Sequence, residues 1–169
     1  MNLYAKVKVN YNKINLLNQY NKSKARSMLD NYLDAVQRSP EFAKEVTLAD
    51  VDKNTLEYRV HTEILKNFSL PFDPIVCQFF DYNNSNLYIH KDGQVHSRLG
   101  IVLKGEGDLI FYNNNKQEID RTNLQEWTIF TTKTYHSVAD SKDRLSFVIG
   151  FKEDYKLLYE SFKKQGQLA

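Results

Sequence analysis

With 169 residues, 41% of them hydrophobic, the chain can fill one substantial core and is short for two ordinary domains. Lys and Arg number 23 against 21 Asp and Glu, and the resulting net charge of +2 argues against a phosphate-neutralising surface, so nucleic acid is an unsupported partner. An aromatic share of 13%, with 11 Tyr and 10 Phe beside one Trp, suits packed strands better than a helical bundle.

The opening "MNLYAKVKVNYNK" lacks the apolar core of a secretory signal, and no stretch reaches the ~18 apolar residues of a membrane span, so the chain reads as a soluble, cytoplasmic protein. Abundant Asn and Lys fit an AT-rich coding genome such as that of a phage or a low-GC bacterium, which says nothing of activity. From Leu3 to Tyr11 apolar and polar residues alternate, which predicts a first strand with Tyr4 or Val7 and Val9 facing a core. The period then changes. Ser23 is placed to cap a helix through "SKARSMLDNYLDAVQRS", with Met28, Leu29, Tyr32, Leu33 and Val36 in one stripe and Pro40 past its end. A weaker helical stretch runs from Leu56 to Asn67, with Tyr58, Ile64 and Leu65, until "SLPFDP" breaks it. Residues 1–74 are thus expected to be a supporting strand and helices.

From Ile75 onward short strand-like runs follow one another: "IVCQFF", "LYIH", "LGIVL", "DLIFY", "EWTIF", "YHSVA" and "LSFVIGF". Between them "DYNNSN", "KGEGD", "YNNNKQE" and "DSKD" have turn and loop compositions, with the "KGEGD" glycines expected in a hairpin turn. The pattern predicts a mainly β chain with flanking helices, built as a double-sheet jelly roll or a related barrel over residues 75–152. Residues 153–169 close it with an amphipathic helix carrying Tyr155, Leu158 and Phe162 on one side. The lone Cys77, inside "IVCQFF", is expected to be a small buried hydrophobe.

Chemistry concentrates in "LYIHKDGQVHSRLGIVL". His90 and Asp92 lie two apart on a strand-like run and therefore point the same way, and polar groups turned inward need partners. A later strand supplies His136. Two histidines and one carboxylate make the facial set that holds Fe(II) and leaves positions open for a co-substrate and dioxygen. Arg144 and Ser146 share the inward face of the last strand, whereas Leu145, Phe147, Ile149 and Phe151 face away. An inward arginine is costly unless paired, and a carboxylate-bearing co-substrate pairs with it through a bidentate contact assisted by the Ser146 hydroxyl.

His-x-Asp, a distal His and then Arg-x-Ser, with "GEGDLIFY" between them, resemble the Fe(II)/2-oxoglutarate-dependent oxygenase superfamily, and the layout is most similar to its prolyl-hydroxylase-like branch. The resemblance spans about residues 75–152. It implies a double-stranded β-helix in which His90, Asp92 and His136 bind Fe(II) and do the catalysis, while Arg144 grips the distal carboxylate of 2-oxoglutarate with help from Ser146. It further implies dioxygen as a reactant, succinate and carbon dioxide as products, and hydroxylation of a prime substrate, peptide or small molecule. Relatives often carry a Tyr or Asn on the strand before His-x-Asp; here "CQFF" has none, leaving Tyr82, Tyr88 or Gln78 as substitutes. The second arginine of the nucleic-acid demethylase branch is missing, since only "LSFVIGFK" follows Arg144.

Other readings of the same residues are a surface turn at "HKDGQ", a cupin that holds metal with several histidines and a glutamate, and a catalytically silent jelly-roll binding module. The cupin glutamate is absent and a simple cupin does not require Arg144, while the intact set of iron ligands argues against a silent module. Arg98 is open between a surface ion pair and a cleft wall. His96 and His61 are not nominated, and Trp127 reads as a core or rim aromatic.

Overall fold

Two antiparallel strands, each longer than strands usually run, organise the chain. The computed structural model describes residues 2–22, 26–27, 47–50, 64–66 and 68–169. Its elements in chain order are β1 (Tyr4–Lys6), α1 (Lys13–Lys22), β2 (Arg26–Ser27), β3 (Thr47–Asp50), β4 (Val76–Asn83), β5 (Leu87–His90), β6 (Ser97–Tyr112), β7 (Glu118–Thr122), β8 (Thr128–Thr131), β9 (Tyr135–Phe151) and α2 (Tyr155–Lys164). No helix among the described residues is long and apolar enough to cross a membrane.

β6 and β9 pair from Ser97 opposite Phe151 to Tyr112 opposite Tyr135. Each changes its second neighbour partway. The first half of β6 pairs with β8 and its second half with β7, while β9 pairs with β5 near its start and with β4 near its end. One long ribbon therefore serves two sheets, β1-β8-β6-β9-β4-β3-β2 on one side and β7-β6-β9-β5 on the other. Hydrogen bonds run through the whole path, and the fold is a jelly roll with two small flanking helices.

The crossover between the sheets is bulged. Register shifts fall at Val102/Lys104, Lys104/Glu106 and Glu106/Asp108, and bulges bend a strand and raise its twist. Gly105 and Gly107 adopt φ of 72° and 144°, and Asp140 and Asp143 on the facing strand adopt 55° and 49°. "KGEGD" and "DSKD" are therefore not turns. The glycines and aspartates that resemble turn chemistry supply the left-handed conformations a bulge needs, so "LGIVL" and "DLIFY" are one strand and "YHSVA" and "LSFVIGF" another.

Strand alternation sorts the side chains. On the outer face of the larger sheet, Cys77, Phe79, Leu99, Ile101, Leu145, Phe147, Ile149 and Phe151 form one cluster with Val7, Trp127, Leu16 of α1 and Tyr155, Leu158 and Phe162 of α2. Between the sheets, Tyr82, Val102, Leu109, Phe111, Leu124, Phe130 and Val138 form the second. The closing helix and its buried face match the sequence pattern, as do Val7 and the partly buried Val9.

Three expectations differ. α1 begins at Lys13, in a stretch to which the sequence pattern assigned no element; Asn12 Oδ1 accepts the Ile14 N–H at 2.9 Å, and Leu16, with Leu17 and Tyr20, meets the core. Its Asn-rich sequence has weak helix propensity, so tertiary packing decides it. β7 arises in a stretch read as loop, because Arg121 pairs with Glu118 and Asp108 along an exposed edge rather than by apolar alternation. The helix expected over 23–39 lies mostly outside the described residues, and Arg26–Ser27, the part inside them, is a strand paired with β3. The stretch 56–67 also lies largely outside them.

A Cβ on Gly105 would meet the carbonyl oxygens of Lys142 and Asp143, whereas one on Gly166, also left-handed at φ 65°, would meet nothing. Gly166→Ala should cost about 1 kcal/mol and Gly105→Ala upward of about 2 kcal/mol in denaturant unfolding, because only the second forces the ribbon apart. Equal costs would show that the bulge tolerates a side chain.

Candidate metal centre and cavity

β5 and β9 bring two of the predicted ligands face to face, with His90 directly opposite His136 in the ladder. Their rings stand 4.3 Å apart between centroids. Each Nδ1 lies 2.9 Å from a backbone carbonyl two residues earlier, His90 from Tyr88 and His136 from Thr134. Those carbonyls accept from protonated Nδ1, which leaves both Nε2 atoms as free lone pairs pointing to one place. Asp92 completes the set: its Oδ1 is 3.3 Å from His90 Nε2 and 3.9 Å from His136 Nε2. The three donor groups lie within 4.8 Å of one another. Asp92 lies past the end of β5 and not on the strand with His90 as the two-residue spacing suggested; its backbone is held there by donating to Thr132 O at 3.1 Å.

Electrostatics keep His136 and Asp92 in ligand form. Burial, reinforced by the neighbouring His90, brings His136 down to about 4 against the opposing field of Asp92. Burial alone would raise the Asp92 carboxyl, but the Arg98 guanidinium, which donates twice to Oδ2, holds it well below the usual carboxylate range. Two imidazole nitrogens, a carboxylate and one open side are a donor set that suits a divalent transition metal, so the residues fit the Fe(II) that the sequence resemblance implies.

The same residues line a cavity of about 170 Å³ between the two sheets, together with Arg144, Ser146, Tyr82 and Tyr88. All seven residues nominated from the sequence thus meet there. Gln78, buried on β4, is not among the lining residues. Arg144 is 1% exposed; among the described residues its guanidinium has one hydrogen bond, Nη1 to Gly107 O, and its Nε has none. It stands 5.6 Å from the Tyr82 ring centroid. Burial pushes the Tyr82 hydroxyl up to about 12 against the lowering fields of Arg144 and Arg98, so it remains a donor at neutral pH. Leu87, Leu109, Leu124, Phe130 and Val138 give the remaining wall an apolar surface.

Arg98 belongs to the cavity wall and not to the outer surface: Nε and Nη2 donate to Asp92 Oδ2 at 3.0 and 2.9 Å. Nothing in its spacing from Asp92 announces this, because a loop of unstated path separates them. His96 lies outside the cavity lining, with Nδ1 3.9 Å from Asp154 Oδ1, and His61 lies outside the described residues.

A jelly roll in which two imidazoles and a carboxylate that could hold a metal ion share a cavity with a buried arginine describes this chain, and comparison with solved structures agrees on the fold. A 2OG-Fe(II) oxygenase family oxidoreductase from Burkholderia pseudomallei superposes with a TM-score of 0.60 over 84% of this chain and 78% of that one, at 8% identity. A Pseudomonas putida prolyl-4-hydroxylase overlaps more loosely, with a TM-score of 0.46 over 83% and 99% at 11% identity. An RmlC-like cupin from Desulfovibrio desulfuricans does so at 0.37 over 50% and 78%, at 16% identity. At such identities the first likeness is one of fold alone. No family model matches the chain, and no curated protein matches it in sequence.

Anaerobic Fe(II) titration should give one ion per chain, with Asp92→Ala and His136→Ala each weakening it by more than about 100-fold, beyond what loss of an outer partner costs. Parent-like affinity in both variants would remove the assignment. The metal-free protein should also titrate. His136 takes its proton near 4 when folded and near 6.5 when unfolded, so the unfolded chain binds more protons between these values. Stability is then full above about pH 6.5 and falls toward pH 4, with a slope of at most about 1.4 kcal/mol per unit. Chelator-treated His136→Gln should show a flatter slope in that window; an unchanged slope assigns it elsewhere.

Proposed function

We propose that the protein is an Fe(II)- and 2-oxoglutarate-dependent dioxygenase that hydroxylates a peptide side chain or a small metabolite. The observation that carries this is Arg144: a buried cation with an unpartnered Nε, on the wall of the cavity that also holds the His90, Asp92 and His136 donors. A buried guanidinium without a carboxylate is costly, and a co-substrate carboxylate at that place relieves the cost. A metal-binding cupin or a silent binding module leaves Arg144 unexplained.

In this reading His90 Nε2, His136 Nε2 and Asp92 Oδ1 hold the ion. Bound Fe(II) supplies the redox chemistry by which dioxygen oxidises 2-oxoglutarate to succinate and carbon dioxide and places one oxygen atom in a substrate C–H bond. Arg144 anchors the far carboxylate by charge, with the Ser146 and Tyr82 hydroxyls as donors beside it, and this fixes which end of the co-substrate faces the metal. Tyr88, whose ring packs 5.1 Å from His90, forms part of the cavity wall beside the ligands. The apolar lining keeps water from the reacting centre. Substrate choice falls to the connections that flank β5, residues 84–86 and 91–96.

Removing one partner of a buried charge contact costs ~2–5 kcal/mol. Arg144→Ala should therefore raise the 2-oxoglutarate requirement by roughly one and a half to three and a half orders of magnitude, with iron binding retained, and Arg144→Lys should fall between. The readouts are succinate formation and the anaerobic absorption band of the iron–2-oxoglutarate chelate. Iron-loaded parent protein that neither binds nor decarboxylates 2-oxoglutarate would overturn the reading in favour of a cupin-like or non-catalytic role.

A further inference from the structure

We propose that Arg98 is a positioning residue that keeps Asp92 a one-oxygen ligand, occupying Oδ2 so that only Oδ1 is available to the metal. The proposal rests on the metal-centre reading above and concerns how that centre keeps its open side.

A carboxylate has two equivalent oxygens and binds cations through one or both. Here they are not equivalent. Arg98 Nε and Nη2 both converge on Oδ2, at 3.0 and 2.9 Å, while Oδ1 is the atom nearest the two imidazoles. An arginine present only to neutralise a carboxylate places one N–H on each oxygen, in the parallel fork arrangement. Here both facing donors go to one oxygen. Among the described residues Arg98 has no other acceptor, since its Nη1 is buried without a partner, so its hydrogen bonding is committed to Asp92. Both side chains are 13% exposed, which limits competition from water for Oδ2.

The anchor is rigid. Arg98 lies in the doubly paired half of β6, between Phe130 of β8 and Gly150 of β9, and its guanidinium stands 5.8 Å from the Phe80 ring centroid. A freed Oδ2 can turn toward a bound ion and take a coordination position that a co-substrate needs. Arg98 would thus protect the number of open positions as well as the affinity.

Mn(II) tests this without turnover. Chelator-treated parent and variants would be titrated with Mn(II), with bound ion followed by electron paramagnetic resonance and its coordinated waters by water-proton relaxation. Arg98→Ala should still bind one ion, roughly 10–100-fold more weakly. Its relaxivity per bound ion should fall by about one third, as Oδ2 takes one of three open positions on a six-coordinate ion. Arg98→Lys, whose ammonium can still engage Oδ2, should restore relaxivity more fully than affinity. If Arg98→Ala does not fold, Arg98→Gln carries the comparison with a smaller drop in both. Affinity and relaxivity equal to the parent's in Arg98→Ala, or in Arg98→Gln where it replaces it, overturn the positioning role and leave the metal centre standing. A parent that binds no Mn(II) overturns both.

Discussion

β6 and β9 stay hydrogen-bonded through a bulged crossover, and the placement of the His90–His136 pair, Arg144 and Ser146 follows from that constraint. If the ribbon ran straight, His136 near its start and Arg144 near the bulge would lie along one flat sheet. Because both strands switch neighbours there, the His90–His136 pair sits on the smaller sheet and Arg144 and Ser146 on the larger, with the cavity between. The conformations that allow this are concentrated in a few residues, Gly105 and Gly107 on one strand and Asp140 and Asp143 on the other. The loop preceding β5 is fastened to the same crossover, since Asn86 Oδ1 accepts the Ser141 N–H and Asn84 Oδ1 that of Asp143.

The cavity concentrates charge where apolar residues would pack more cheaply. Two guanidiniums and one carboxylate line it, beside two imidazoles whose hydrogen bonds turn Nε2 inward. Arg98 is answered by Asp92 and Arg144 by no carboxylate within its hydrogen-bond reach, so the described interior carries an uncompensated positive charge. That imbalance is the physical basis for assigning an anionic ligand to the Arg144 end, and a metal at the other end deepens it. Meanwhile the outer cluster of aromatic and aliphatic side chains, covered by α1 and α2, carries the apolar burial, which leaves the inner face free to be partly polar.

Much of the site was legible because strands alternate. Arg144 and Ser146 are two apart on β9, so a shared face could be read without knowing what lay opposite, and the apolar parity of Leu145, Phe147, Ile149 and Phe151 gave the outward face; the same rule does not place Asp92, because β5 ends at His90. The same periodicity read the closing helix from Tyr155, Leu158 and Phe162. It failed where structure departs from a period: "KGEGD" and "DSKD" have turn composition because bulges and turns need the same left-handed conformations, and β7 is held by Arg121 ion pairs that leave no apolar rhythm.

By itself, then, the sequence determined the mainly β class, the shared inward face of Arg144 and Ser146 on one strand and the residue types able to hold a metal and a carboxylate. These are local properties, set by the two-residue repeat of an extended chain and by side-chain chemistry. Only the tertiary structure decided that His90 stands opposite His136, that Arg144 shares their cavity, that Tyr82 and Tyr88 line it while Gln78 does not, and that Arg98 closes on one oxygen of Asp92. Those facts depend on strand register and on where the ribbon crosses between sheets, and register is a relation between distant segments that no local pattern encodes.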